Sequence, residues 1–278
     1  MKILKTINDM QAWSQACHQQ LQSIAFVPTM GNLHSGHLSL IEQAKSLADK
    51  VVVSIYVNPT QFAAHEDLSS YPRTEVEDLQ HLSEMDVDAV FMPTTNEMYP
   101  ANKTDSKIEL PAFTKVFEGQ TRPDHFQGVA TVVKKLFDYV MPDYAIFGEK
   151  DFQQLLLIQY LVAHLGLDIE IKGGSIVRDG DGLAKSSRNQ YLTPQQRSLA
   201  SVLYQTLNWA KGQLLNGQLS NADVELQAID IINKKGLVVD YFSVVDANTL
   251  EPGDKNNRVI LVAASLGTTR LLDNLRVD

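Results

Sequence analysis

The 278-residue sequence holds a single cysteine, Cys17. One thiol excludes an intrachain disulfide and any zinc site built on several thiolates. Cys17 falls in an expected helix, WSQACHQQL, and reads as inert packing. Long apolar runs are also missing. None approaches the about 18 residues that a membrane-spanning helix needs. Positive charge is scarce, with 24 Lys and Arg against 33 Asp and Glu and a formal net charge of −9. That balance argues against a large nucleic-acid interface, which requires a field of cations. A small anionic ligand is still allowed, because a few local cations and backbone amides suffice for it. The first 20 residues, MKILKTINDMQAWSQACHQQ, contain no signal-peptide apolar core, so a cytoplasmic protein is expected. There is no internal repeat and no low-complexity segment.

What is present is globular. Apolar residues make up 44% and charged residues 21%, and the length suggests about two domains. Short β-rich runs alternate with helical patterns through the first two-thirds. Strands are expected over 23–29, 51–57, 88–93 and 143–148, and an extended run over 168–177. Helices are expected over 37–50, 75–85, 126–140 and 152–166. The run VVVSIYV (51–57) is apolar almost throughout, as in a strand buried on both faces. This alternation predicts an α/β fold with a doubly wound parallel sheet, whose ligands sit at the carboxyl ends of the strands. The pattern changes near residue 178. One long helix is expected over 193–215, with Thr193 as N-cap and Pro194 in the first turn, and a second helix over 221–236. Strands follow over 237–247, 257–267 and 269–277. The expected organisation is a doubly wound domain over 1–177 and a smaller α+β domain over 178–278.

The stretch VPTMGNLHSGHLSLIEQA (27–44) joins the first strand to the first long helix of this pattern. Gly31 and Gly36 have the spacing of a Walker A loop, but His37 stands where Lys belongs and Leu38 where Ser or Thr would hold Mg²⁺. The physical logic survives the substitutions. Two glycines let the backbone approach a phosphate, the helix start aims its free amides there, and His34 and His37 offer two more donors. Three readings of the histidine pair stay open: a phosphate clamp, a metal pair lacking a third ligand, and two solvated side chains.

Further along, YVNPTQF (56–62) ends a strand at Asn58-Pro59 and presents Gln61, which is either a polar contact or an ordinary loop residue. IFGEKDFQQ (146–154) ends an apolar strand at Gly148. Lys150 could reach a phosphate as a point charge, and Asp151 could bond a ribose hydroxyl. The alternative is a solvated helix start. VRDGDGLAKSSRNQYLTP (177–194) places Lys185, Ser186, Ser187 and Arg188 in a glycine-rich segment. It reads as a phosphate-closing loop or as an interdomain linker. Arg122-Pro123 precedes a helix and is either a loop over the site or a helix entry.

In order, these segments resemble the pantothenate synthetases, the pantoate–β-alanine ligase family. The resemblance rests on Pro28-Thr29-Met30-Gly31 with His34-Ser35-Gly36-His37, on Asn58-Pro59-Thr60-Gln61-Phe62, and on EDLSSYPRT (66–74), RPDHFQGVATVV (122–133), FGEKDFQQ (147–154) and DGLAKSSRN (181–189). It covers nearly the whole chain and is densest over 26–193. The resemblance implies a Rossmann-like sheet of the nucleotidyltransferase type, with a C-terminal domain that covers the site. It implies an ATP- and Mg²⁺-dependent enzyme that adenylates pantoate, releases pyrophosphate, and lets β-alanine displace AMP to give pantothenate on the way to coenzyme A. The implied protein is a cytoplasmic homodimer that engages neither nucleic acid nor a membrane.

The resemblance also implies roles. His34, His37, Lys150 and Arg188 would act in catalysis, with His37 as proton donor. ATP would lie against Met30, Gly31, Gly36, Gly148, Asp151 and the Val177 backbone, under Lys185, Ser186, Ser187 and Arg188. Gln61 and Gln154 would hold pantoate, and Met30 would pack on its gem-dimethyl group. No Mg²⁺ ligand is assigned. Lys185 departs from the family pattern, where an apolar residue usually precedes Ser-Ser-Arg-Asn, and would add a phosphate contact or stand solvated. Asp124 replaces a usual Gly, and Thr60 a frequent Met or Leu. Other readings of the same features are an adenylylating enzyme with a different acceptor and a nucleotide-sensing protein. A tRNA ligase is disfavoured by the charge.

Overall fold

The computed structural model describes residues 1–63, 66–102, 106–253 and 256–277. In chain order the elements are β1 (Lys2–Leu4), α1 (Ile7–Gln19), β2 (Ile24–Thr29), α2 (Ser35–Lys45), β3 (Lys50–Ile55), α3 (Glu75–Glu84), β4 (Ala89–Phe91), α4 (Thr95–Met98), α5 (Glu118–Thr121), α6 (His125–Val140), β5 (Tyr144–Gly148), α7 (Phe152–Leu165), β6 (Glu170–Gly174), α8 (Pro194–Ala200), α9 (Val202–Asn216), α10 (Asn221–Lys234), β7 (Val238–Asp246), β8 (Arg258–Leu266) and β9 (Thr269–Arg276). The chain divides into two compact units. One comprises Met1–Glu149 and Gln153–Ser175, the other Lys150–Phe152 and Ile176–Asp278.

The first unit is built on a six-stranded sheet of order β1-β4-β3-β2-β5-β6, parallel at every pairing. Alternate side chains of a strand point to opposite faces, so an apolar run can serve two cores. Phe26, Val52, Phe91, Ala145 and Phe147 join one core with Phe126, Val133 and Phe137 of α6. Ala25, Val27, Val53, Val90 and Ile146 join the other with Leu40, Ile41 and Ala44 of α2. Each fully buried Val, Ile or Phe contributes roughly 1.5–3 kcal/mol of transfer free energy, and this double burial holds the strand ends still. From β2 the chain runs outward to β3 and β4, then returns to β5 and β6 on the other side. The direction therefore reverses between β2 and β5, and ligand crevices of doubly wound sheets open at the carboxyl ends there. Helix α2 sits close to β6: a Cβ on Gly174 would lie 2.0 Å from Leu40 Cδ2.

The second unit packs α8, α9 and α10 against the antiparallel sheet β7-β8-β9. Its core joins Leu203, Leu207 and Ala210 to Ile260, Val262 and Ala264.

One sequence expectation is corrected and two details are added. The single helix over 193–215 is two, because Ser201 turns at ψ −10° and separates α8 from α9. Apolar residues continue on both sides of the break, so periodicity does not reveal it. Strand β1 was not expected: three residues carry no periodic signal, and their pairing with β4 is non-local. The extended run over 168–177 is a strand only over Glu170–Gly174. Among the described residues, no helix is long and apolar enough to cross a membrane.

Candidate active site

In the first unit, the loop leaving β2 is fixed from both ends. The Thr29 hydroxyl donates to the Ser54 carbonyl (2.7 Å) and accepts the Gly31 N–H (3.2 Å). Gly31 and Asn32 then take left-handed conformations, with φ of 81° and 51°. Glycine is required at the first, since a Cβ there would press on the Asp78 carboxylate at 3.0 Å and on Ile55 at 3.1 Å. Asp78 of α3 is buried and accepts the N–H groups of Asn32 (2.9 Å) and Leu33 (2.7 Å). The Thr74 hydroxyl donates to the same carboxylate (3.2 Å).

That anchored turn delivers His34 to the N-cap of α2. The His34 Nδ1 accepts the Gly36 N–H (3.1 Å), and the His37 Nδ1 accepts the His34 N–H (3.3 Å). Two imidazoles thus form a reciprocal cap of the kind that Ser and Glu usually make. With each Nδ1 accepting, the proton of each neutral ring is on Nε2. The ring centroids lie 4.1 Å apart. Among the described residues, no group of three or more His, Cys, Asp or Glu is arranged to hold a metal ion.

The loop leaving β3 makes a 3₁₀ turn at Pro59–Gln61, capped by Asn58. Buried Asn58 accepts from the Tyr99 hydroxyl (3.0 Å) and donates to the Gln61 Oε1 (3.0 Å) and the Gly128 carbonyl (3.3 Å). The Gln61 Nε2 in turn lies 3.3 Å from the Met30 sulfur. The sheet therefore brings Met30 and Gln61 together from adjacent strand ends. A Cβ on Gly128 would lie 2.3 Å from the Thr60 carbonyl, so α6 can support this turn only with glycine there.

On α7, the two glutamines part company. Gln153 is buried, donates to the Phe113 and Val116 carbonyls (2.7 and 2.9 Å), and accepts the Glu118 N–H (3.2 Å). Half-buried Gln154 makes no side-chain hydrogen bond to another described residue. Cys17 is buried, burial pushes its thiol up, and it lies among Trp13, Lys50 and Asp88 near the amino ends of the strands. It is unsuited to nucleophilic work.

In the second unit, the Asn274 side chain donates to the Lys150 carbonyl (2.9 Å), and the Lys150 Nζ stands 3.7 Å from half-exposed Asp151. Residues 177–185 form a tight hairpin rather than a slack linker. The Lys185 N–H donates to the Val177 carbonyl (2.9 Å) and the Asp179 N–H to the Leu183 carbonyl (2.8 Å). Arg178 staples this hairpin to β9. It makes a two-pronged ion pair with buried Asp273 (2.6 and 2.9 Å), donates to the Gly182 carbonyl (3.1 Å), and lies over the Tyr204 ring. Gly182 has φ 96°, and a Cβ on it would meet Tyr204 at 2.1 Å.

Lys185 is half-buried and engaged. Its ammonium pairs with Asp179, and Arg197 bridges Asp179 (3.0 Å) and Asp181 (2.6 Å). Lys185 holds the Asp179 carboxyl below its ordinary range, and Arg197 does the same for Asp181. The Ser186 hydroxyl accepts the Arg188 N–H (3.3 Å) and caps the 3₁₀ turn Ser187–Tyr191.

Comparison with known proteins decides among the readings. A family model described as pantoate-beta-alanine ligase matches residues 2–276. The chain belongs to the pantoate–β-alanine ligase family. It is 46% identical to the pantothenate synthetase of Marinobacter nauticus over 282 aligned positions, covering all of this chain and 99% of that protein. The crystal structure of the Thermus thermophilus pantothenate synthetase matches with a TM-score of 0.93 at 40% identity, covering 100% of this chain and 99% of that one. The Francisella tularensis pantoate–β-alanine ligase, solved in complex with beta-gamma ATP and β-alanine, matches with a TM-score of 0.85 at 35% identity, covering 100% and 98%.

As a member of the pantoate–β-alanine ligase family, the chain is an enzyme, and the sensor and tRNA-ligase readings fall away. The doubly wound sheet with a smaller α+β unit is the fold of its solved relatives. Sequence reasoning passed over Asp78 and Asp273, and it named Asn58 and Gln153 only as motif members without a contact of their own, yet the structure makes all four prominent. Asp78 left one trace in the sequence, an acid four residues before Leu82 on the buried face of α3.

Proposed function

We propose that the chain joins pantoate to β-alanine, driven by ATP, through a pantoyl adenylate. In the first half-reaction a pantoate carboxylate oxygen attacks the α-phosphorus, the bond to the bridging oxygen breaks, and pyrophosphate leaves. In the second, the amine of β-alanine attacks the acyl carbon, the carbon–oxygen bond to AMP breaks, and the amine loses a proton. No side-chain nucleophile is required. The reaction needs positioning and the stabilisation of charge on phosphoryl oxygens.

The observation that carries this reading is the reciprocal imidazole cap. It sets two Nε2–H donors at the start of a helix whose own amides favour an anion, beside the switch point of the sheet. In the proposed scheme His34 and His37 bind phosphate oxygens, with Gly31 and Gly36 allowing close approach. Lys150 supplies a point charge, and Ser186, Ser187 and Arg188 contact the triphosphate. Asp151 and Gly148 take the ribose, and the Val177 backbone takes adenine through its N–H or the second lone pair of its carbonyl. Met30, Gln61 and Gln154 take pantoate, whose hydroxyls suit neutral amides and whose methyl groups suit a thioether. Lys185 pairs with Asp179 and keeps further N–H donors on the same ammonium for a phosphate oxygen. Mg²⁺ fits this scheme as a companion of the triphosphate rather than of a carboxylate cluster, since it binds readily through phosphates and water. We further infer a cytoplasmic homodimer serving coenzyme A synthesis, for which sedimentation would report the assembly.

The test is direct. Purified protein is incubated with ATP, Mg²⁺, pantoate and β-alanine, and AMP is measured. AMP that needs both organic substrates, with pyrophosphate exchange that needs pantoate alone, supports the scheme. Exchange independent of pantoate, or AMP formed with another carboxylic acid in its place, removes it.

A further inference from the structure

His125, at the first position of α6, makes an arrangement that the roles above do not use. Its Nδ1 lies 3.0 Å from the main-chain carbonyl of Gln61, and its Nε2 lies 3.1 Å from the Arg122 Nη1. A guanidinium can only donate, so Nε2 must accept and the ring proton belongs on Nδ1. That proton is then donated to the Gln61 carbonyl. The Arg122 Nη2 donates to the same oxygen (3.3 Å). Arg122 is itself fixed by a two-pronged pair with Glu66 (2.6 and 2.7 Å), and Glu118 stands 3.8 Å away. One carbonyl is thus gripped by two donors, each braced from behind.

We propose that His125 is a positioning residue for the ligase reaction: through the Gln61 carbonyl it aims the Gln61 side-chain amide at pantoate. The inference rests on the reading that Gln61 holds pantoate. The geometry links the two ends of Gln61 through a short, stiff turn. The Gln61 Oε1 is held by Asn58, and its Nε2 faces Met30. The backbone of the turn rests on Gly128, where no side chain fits. With the carbonyl released, the turn would lose its clamp on the side opposite Asn58. The charged groups facing His125 are Arg122, Glu66 and Glu118. Burial, aided by Arg122 and opposed by the bond to the Gln61 carbonyl and by the two acids, pushes the imidazole down to about 4, so it stays a neutral donor in the working range.

The test uses two substitutions and one spectrum on the full chain. In His125→Asn, an amide N–H falls near the place of Nδ1. In His125→Gln, the amide reaches toward Nε2, and the Gln61 carbonyl keeps only the longer Arg122 contact (3.3 Å). The expected result is that His125→Gln raises the pantoate KM by about five- to tenfold, the worth of one hydrogen bond. The ATP KM should stay within about twofold, and His125→Asn should restore most of the loss. Equal rises in both KM values, or equal effects of Asn and Gln, would overturn the proposal. In the wild-type enzyme with ¹⁵N-labelled histidine, His125 should give the neutral Nδ1–H signature, shifted by pantoate and not by ATP alone. An Nε2–H tautomer would also overturn it. Gln61→Ala separates the underlying reading: if it leaves the pantoate KM unchanged, Gln61 does not hold pantoate and the role of His125 falls with it.

Discussion

Asp78→Ala removes the one side chain that bridges two consecutive amides of the loop carrying His34 and His37. The Asn32 and Leu33 N–H groups lose acceptors at 2.9 and 2.7 Å, and the Thr74 hydroxyl loses one at 3.2 Å. A buried donor left unpaired costs about 1–3 kcal/mol. Leu33 is buried and takes that cost in full, whereas Asn32 is half-buried and water recovers part of it. The expected destabilisation is about 2–4 kcal/mol, with no cavity term of note because the carboxylate sits against backbone. At about 2–4 °C per kcal/mol for a unit of this size, the melting transition should fall by roughly 5–15 °C. Function should fall further than folding does, because the left-handed turn at Gly31 and Asn32 loses its anchor. The ATP KM should rise at temperatures where the variant is still fully folded. Urea unfolding followed by far-ultraviolet dichroism gives the stability, and pantoate-dependent pyrophosphate exchange gives the ATP dependence. A loss below about 0.5 kcal/mol together with a normal ATP KM would show that the turn holds without Asp78.

His37→Ala should depress pyrophosphate release by about a hundredfold or more, as loss of one preorganised donor does, and near-normal release would remove the phosphate role. Lys185→Met breaks the pair with Asp179; an unchanged ATP KM in a steady-state assay would mean that the lysine serves the hairpin alone. Gly182→Ala meets both a left-handed φ and a 2.1 Å clash with Tyr204, so a loss of at least about 1–3 kcal/mol and weaker ATP binding are expected in melting and kinetic measurements. His125 titrates at about 4 in the folded protein against an ordinary 6.5. The unfolded chain therefore takes up its proton first, and stability should fall as the pH drops from about 6.5 toward 4, by at most about 1.4 kcal/mol per pH unit. Urea midpoints of wild type and His125→Asn should converge over that window, and parallel curves would refute the assignment.

The sheet was legible because its central strands are apolar almost throughout and the helices between them are periodic. Local chemistry was legible too: Thr193 and Pro194 announce α8, and Gln196 completes the cap. What escaped was non-local. The partner of the Asn32 and Leu33 amides is about 45 residues away in α3, and the partner of the Gln61 carbonyl is 64 residues away in α6. Nothing in either short stretch specifies the other. Lys185 illustrates a nearer failure. Its partner Asp179 is only six residues back, but the pairing depends on a hairpin closed by Gly182 and stapled by Arg178. The segment is rich in glycine, and composition alone reads it as slack. His34 was missed as a cap because imidazole is not among the side chains that usually fill that position.

The imidazole cap has one more consequence. A neutral ring whose Nδ1 accepts a backbone N–H can offer its Nε2–H to an oxygen, but it cannot surrender that proton without becoming an anion. To act as an acid, His37 must first be doubly protonated, and its Nδ1–H would then face the His34 N–H. The same holds for His34 against the Gly36 N–H. Charging either ring therefore unlatches the first turn of α2. In the proposed scheme the two histidines would hold phosphate oxygens as neutral donors, and proton delivery by His37 would be coupled to rotation of the ring and fraying of the helix start.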